Sequence, residues 1–201
     1  MLEAGALTAR GWVARRRTLR DHIDQLDRRI AELVATHPEG ALFAALPGAG
    51  SVLVPRWIVA FGTRRERYDS AYEMPCYRGI APVKEASRKT SWVHFRRACG
   101  KFLRQTFHEF GLHSIGPSEW AKANYQHLGE DENQSHPAAV RSLAYRWIRI
   151  IFRCWKDGKP YDEAVYLNSL RRRGSQLGAA LAPATGHRPW VADGRWIPKT
   201  F

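Results

Sequence analysis

From Leu19 onward the apolar positions run Leu19, Ile23, Leu26, Ile30 and Leu33, in steps of four, three, four and three. This spacing predicts a helix with one continuous apolar stripe, of the kind that seals a coiled coil when it is sustained. Asp21, Asp24, Asp27, Arg28, Arg29 and Glu32 occupy its other faces, and a cationic stretch from Arg10 to Arg20 leads into it. His37-Pro38-Glu39-Gly40 ends it, because proline removes a backbone donor and glycine loosens the chain. Two heptads leave two readings open: a helix packed on its own domain, or a surface for self-association.

Residues 45 to 62 read A-L-P-G-A-G-S-V-L-V-P-R-W-I-V-A-F-G, so that Pro47, Gly48 and Gly50 precede an apolar helix. This order is that of a helix-hairpin-helix, in which glycines let a tight turn present backbone N–H groups to a phosphate without reading bases; a hairpin that only packs is the alternative. Residues 63 to 75 are polar, and C-Y-R-G-I-A-P, broken by Gly79 and Pro82, reads as a turn or loop. Residues 83 to 110 mix charge with aromatics, and Phe95, Phe102, Leu103, Phe107 and Phe110 fall at helical spacings. Arg96, Arg97, Lys101 and Arg104 are therefore expected to line a phosphate-binding face over them. Trp92 and Phe95 are expected in the core as anchors of that helix.

Gly116-Pro117 marks a linker, and residues 130 to 137 a turn that ends in a helix start near Pro137. From Ala138 to Trp155 the pattern is an amphipathic helix carrying Arg141, Arg146, Arg149 and Arg153; Asp157-Gly158 ends it, and a short helix resumes from Tyr161. Beyond Arg173 the chain is rich in Gly, Ala and Pro, with Trp190 and Trp196 in no periodic frame, and reads as a poorly ordered tail. The fold expected is mainly α, with a helix-hairpin-helix-like element preceded by a long coiled-coil-like helix.

Charge changes the picture. Thirty-two Lys and Arg against nineteen Asp and Glu leave a net charge of +13 over 201 residues, with pI about 10.2, which favours a polyanionic partner through counterion release. Nucleic acid is the leading candidate, although ribosomal proteins and membrane-surface binders share such a balance. No apolar run is long enough for a membrane span and no signal-peptide pattern opens the chain, so a soluble intracellular protein without membrane partners is expected. Cys76, Cys99 and Cys154 lack any C-x-x-C spacing, which argues for free thiols.

Of the candidate chemical groups, the densest neighbourhood is Ser87-Arg88-Lys89-Thr90-Ser91, hydroxyls beside cations that could offset charge on an attacked phosphate. His94 lies close enough in sequence to move a proton. His108 and His113 are five apart, the wrong offset for two ligands on one helical face. The acidic residues form surface-like runs, Asp21/Asp24/Asp27 and Glu130/Asp131/Glu132, so no metal site is expected in this chain.

Four ordered motifs, A-L-P-G-A-G, Y-x-G-I-A-P-V, S-x-K-x-S-W-V-H-F-R-R-A-C-x-K-F-L-R-Q-T-F-H-E and P-Y-D-E, together resemble the C-terminal domain of the Piv-related insertion-sequence transposases (the IS116/IS110/IS902 group). The likeness runs from about Leu46 to Leu167, with the preceding helix matching the family's coiled-coil connector. It implies three parts: residues 1–40 as a basic segment and coiled-coil-like helix, 41–172 as a serine transposase-like domain, and 173–201 as the tail. It implies Ser87 as the nucleophile on a DNA phosphate; from the residues themselves Gly48, Gly50, Arg88, Lys89, Arg96, Arg97, Lys101 and Arg104 are expected as nucleic-acid contacts. It also implies a structured guide RNA and, for an insertion-sequence protein, a cytoplasmic, nucleoid-associated prokaryotic location; the stripe itself favours a homo-oligomer formed through the Leu19 to Leu33 helix.

The family pairs this domain with an N-terminal RuvC-like domain bearing a D-E-D-D set, where Mg is expected; this chain is expected to carry no cofactor of its own. Few residues precede the hairpin motif, so the expectation is a truncated or split copy, inactive without a D-E-D-D partner. The chain also departs at Arg88, where many relatives have glycine directly after the serine. Two other readings stay open: a catalytically silent nucleic-acid-binding remnant that modulates full-length transposase, and a basic ribosome-associated or DNA-repair hairpin protein.

Overall fold

The computed structural model describes residues 2–94, 96–130, 134–175, 177 and 181. Phe95, Asp131, Glu132 and most of the expected tail, with Trp190 and Trp196, lie outside the described residues.

The first helix, α1 (Leu2–Thr36), begins well before the apolar stripe and runs 35 residues. It stops where the sequence says it should: the His37 amide turns back to the Val34 carbonyl, and Gly40 lies so close beneath that turn that a Cβ there would meet the same carbonyl at 2.3 Å. Leu19, Ile23, Leu26, Ile30 and Leu33 are all exposed, as is Trp12, one heptad before Leu19. Only the C-terminal end of α1, through Val34, joins the core.

α2 (Gly40–Ala44) and α3 (Leu53–Phe61) follow, joined by the Pro47-Gly48-Ala49-Gly50 turn. Gly48 has φ 80°, and a Cβ would meet the His113 carbonyl oxygen at 2.9 Å, so this glycine is required by a close approach to the end of a later helix. The amides of Ala49, Gly50, Leu53 and Val54 all donate within the turn. Gly50 faces open space.

A 3-10 turn, Arg65–Arg67, and the short α4 (Glu73–Tyr77) lead to a tight reversal in which the Ile80 and Ala81 amides both donate to the Pro75 carbonyl. The reversal buries Arg78, which donates to the Ala60 carbonyl and, at 3.0 Å, to the Tyr68 hydroxyl. Burial lowers the affinity of that guanidinium for its proton, but the pairing tethers the reversal to the end of α3.

Residues 83 to 94 correct the expectation of a helix anchored by Trp92. They form an antiparallel hairpin, β1 (Val83–Ser87) and β2 (Thr90–His94), joined by the two-residue loop Arg88-Lys89. Valine, threonine and tryptophan suit a pleated strand better than a helix. Trp92 is 41% exposed rather than in the core.

α5 (Lys101–His113), α6 (Glu119–Glu130), α7 (His136–Asp157) and α8 (Glu163–Arg172) complete the domain. The helix at 119–130 does not follow from periodicity. Its start is held from afar: Glu163 accepts from the Ser118 hydroxyl and from the Trp120 amide, both at 2.8 Å. α7 buries Val140, Leu143, Ala144, Trp147, Ile148, Ile151 and Trp155 along one stripe, as its sequence predicts, and ends at Gly158 in the left-handed conformation. The Asp162 carboxylate caps α8 by accepting from the Val165 amide at 3.0 Å.

Large rings fill the core. Trp147 stands edge-on to Phe110 at 5.1 Å and to Trp120 at 4.9 Å, and donates its indole N–H to Ser114 Oγ at 2.7 Å. Phe61 links Phe43 at 5.4 Å to Trp155 at 5.5 Å. Gly111 lets α5 meet α7 closely, since a Cβ would touch Ala144 Cβ at 3.2 Å. Trp147→Ala removes the ring that joins α5, α6 and α7 and is expected to cost about 3–5 kcal/mol in urea unfolding, whereas Val59→Ala, on an exposed face, changes stability little.

Candidate functional site

The hairpin projects from the domain with neither face covered: every residue from Lys84 to His94 is exposed, and Val83 is half-buried. An isolated two-stranded ribbon is marginal in water, so its ends matter. At one end is the reversal described above, where Gly79, at φ 72°, lies against Cys99; a Cβ there would fall 2.2 Å from the Cys99 sulfur. At the other, Arg104 donates one guanidinium nitrogen to the Arg96 carbonyl at 3.1 Å and to Cys99 Sγ at 3.3 Å. The incoming and outgoing chains are thereby pressed together where the hairpin begins.

Register sorts the candidate groups. Ser87 pairs with Thr90, Ala86 with Ser91, Glu85 with Trp92, Lys84 with Val93 and Val83 with His94. Alternation then puts Ser87, Glu85, Thr90, Trp92 and His94 on one face, and Lys84, Ser91 and Val93 on the other. Ser91, a hydroxyl candidate by sequence, is thus separated from Ser87. On the Ser87 face, Glu85 Oε2 accepts from the Trp92 indole N–H at 3.0 Å and lies 3.1 Å from His94 Nε2, while the Trp92 and His94 rings meet edge-on at 6.1 Å. Sequence does not single out Glu85 and Trp92 together, because only the register makes them partners.

Ser87 is the last paired residue of β1, and Arg88 and Lys89 form the tip. A shallow, open concavity there is lined by Ser87, Arg88, Lys89, Thr90 and Trp92. A hydroxyl so placed is accessible to a large substrate, and the adjacent cations lie where a phosphate would bring charge. Arg88 has φ 51°, and it is the one non-glycine residue with positive φ among the described residues. Position 88 is therefore one where the backbone favours glycine, since a side chain crowds the left-handed conformation.

The other expected contacts divide. Arg96 and Arg97 lie in the irregular segment before α5, so the single helical face expected for Arg96, Arg97, Lys101 and Arg104 is not formed. Lys101 and Arg97 are exposed, whereas Arg96 and Arg104 are half-buried. Gly48 and Gly50 sit in a different part of the domain, before α3. The three cysteines are free and half-buried. Among the described residues no three His, Cys, Asp or Glu side chains gather in a way that would hold a metal ion. No described helix is long and apolar enough to cross a membrane.

His108, on α5, is held below the usual imidazole range, first by burial and then by the nearby Arg141 and Arg104 guanidinium groups. Its depressed proton affinity means that the unfolded chain binds a proton more readily than the folded one below the ordinary histidine pKa of about 6.5. Stability is therefore expected to fall as pH drops through and below about 6.5, and His108→Phe should flatten that fall in urea titrations at several pH values. Arg88→Gly is expected to slow amide exchange across Val83 to His94 by a few fold, since a left-handed non-glycine residue costs roughly 1 kcal/mol; faster exchange would contradict the strain at the tip.

The comparisons with known proteins both point to transposases. Residues 40–126, from α2 to within α6, match the model of the transposase IS116/IS110/IS902 family. The mini-circle putative transposase for IS117 of Streptomyces coelicolor (strain ATCC BAA-471 / A3(2) / M145) is 25% identical over 140 residues, which cover 70% of this chain and 34% of that protein. The chain thus spans about a third of the length of the curated relative that it matches. The hairpin, the turn before α3 and α5 all lie inside the segment that is similar to the transposase IS116/IS110/IS902 family.

Proposed function

We propose that this chain is the DNA-handling module of an insertion-sequence transposase and that Ser87 is its nucleophile. The observation that carries the reading is the position of Ser87 at the end of a bare hairpin, with Arg88 and Lys89 beside it, inside the family segment. In the reaction, Ser87 Oγ forms a bond to a DNA phosphorus and loses its proton to a base. One ester P–O bond breaks, and the departing deoxyribose oxygen takes up a proton. Arg88 and Lys89 offset the charge that gathers on the phosphoryl oxygens.

A RuvC-like domain with a D-E-D-D set, on the same or another polypeptide, supplies the metal-bearing half of a composite site, and a structured guide RNA selects the DNA. Arg97 and Lys101 hold backbone phosphates beside the hairpin, and the turn through Gly48 and Gly50 does so at the start of α3. The exposed stripe Leu19, Ile23, Leu26, Ile30 and Leu33 pairs with its copy in a second chain, because a row of apolar side chains along a free helix is relieved by a coiled coil. Acting on DNA in this way, the protein works in the bacterial cytoplasm.

A second reading, a silent nucleic-acid-binding remnant, is favoured by one observation: Arg88 stands in a left-handed position better suited to glycine. The two are separated by one series of measurements. Wild type and Ser87→Ala are expected to bind duplex DNA and the element's flanking RNA equally, with steep salt dependence. With a D-E-D-D partner supplied, only wild type should form a covalent protein–DNA adduct. Absence of an adduct from both leaves the silent remnant, and absence of binding at low salt sinks both readings.

A further inference from the structure

The segment matched by the transposase family ends at residue 126, yet α7 and α8 beyond it gather arginines that the Ser87 site does not use. On α7, Arg146, Arg149 and Arg153 succeed one another at three and four residues, the spacing that places side chains along one side of a helix. They flank the buried Trp147 and Ile148; Arg146 is half-buried and Arg149 is exposed. α8 lies beside this row. Its Tyr166 meets Trp120 edge-on at 5.1 Å, and Trp120 meets Trp147 at 4.9 Å, so Tyr166 is one ring removed from α7. Seven residues after Tyr166, two turns along the same side, comes Arg173. Burial raises the Tyr166 phenol pKa, and the positive charges of Arg146, Arg173 and Arg149 act against that rise.

The carboxylates near this corner are committed elsewhere. Glu163 accepts from Ser118 and the Trp120 amide. Asp162 caps α8, and Asp157 holds Arg153 at 2.6 Å. Among the described residues Arg146, Arg149 and Arg173 take part in no salt bridge. Two cations on α7 and one at the residue that ends α8, with the nearby acids committed elsewhere, form an electrostatic surface that a polyanion would complete.

We infer that the face formed by Arg146, Arg149 and Arg173 is a second nucleic-acid surface, one that grips the phosphate backbone of duplex DNA. The inference rests on the DNA reading above and extends it to helices outside the family segment. Duplex is favoured over single strands because binding of unpaired bases uses exposed aromatic rings for stacking. None of the exposed large apolar side chains of α7 and α8 is aromatic among the described residues, and Tyr166 is held edge-on against Trp120. Guanidinium groups without stacking partners make contacts that position a backbone and read no sequence. The hairpin, with Trp92 exposed, is the part suited to unpaired strands.

The test compares wild type with the Arg146→Gln/Arg149→Gln/Arg173→Gln variant for binding to a short mixed-sequence DNA duplex and to a single-stranded RNA over a salt series. Duplex binding should weaken about equally for different sequences, and the slope of log K against log salt should fall by about two to three, at roughly 0.9 for each phosphate that is no longer neutralised. The matching triple lysine variant should restore most of the slope. If the glutamine variant melts early, Arg149→Gln alone, at an exposed position, should lower the slope by about one. Wild-type duplex binding with an unchanged slope in the variant overturns this inference and leaves the DNA reading standing. Weakened RNA binding with duplex binding intact also overturns it, and failure of the wild type to bind duplex at all overturns the DNA reading itself.

Discussion

The contact between Gly79 and Cys99 is the constraint on which the hairpin depends. A ribbon of ten paired residues that buries neither face has little of its own to hold it, so its geometry must be imposed where it leaves the domain. There the chain reverses over Pro75, the Arg78 guanidinium is drawn inward to Ala60 and Tyr68, and the glycine lets the outgoing strand settle on the thiol of the returning one. Arg104 fastens the second leg from α5. The cost of burying a guanidinium is accepted because its partners are themselves part of the core. The position of Ser87 is thus inherited from residues eight or more places away in sequence.

The rest of the molecule serves as a platform for that projection. α5 and α7 are brought together by Gly111 against Ala144, and the rings of Phe110, Trp147 and Trp120 interlock between them. Edge-on contacts between large rings give a core with few alternative packings. The indole N–H groups of Trp147 and Trp155 are satisfied by Ser114 and the Gly62 carbonyl, so depth in the core does not leave them unpaired. This rigidity allows charged groups at the surface, on the hairpin and on α7, to hold fixed spacings.

What can be read from the sequence follows local signals. α7 is legible because its apolar residues recur with helical period over 22 residues and because Gly158 follows its last turn. α1 is legible in its stripe and its stop, although not in its length, since the cationic turn before Leu19 carries no periodic pattern. α6 escapes such a reading because its start is capped by Glu163, 43 residues further on than Trp120, and no window of sequence contains both. The hairpin escapes it because its two-residue loop is Arg-Lys rather than a turn with Asn or Gly, so nothing announces a reversal between Ser87 and Thr90. The serine itself comes from the order of family motifs. Its companions on one face, Glu85, Trp92 and His94, come only from the register.

The length of α1 has a further implication. At about 1.5 Å per residue its 35 residues make a rod of roughly 50 Å, close to the rise of about fifteen base pairs of duplex at 3.4 Å each. A rod clamped at one corner, where Gly40 meets Val34, transmits direction as well as distance. Whatever meets its far end is held at a fixed reach from the domain that carries Ser87, which makes α1 a ruler.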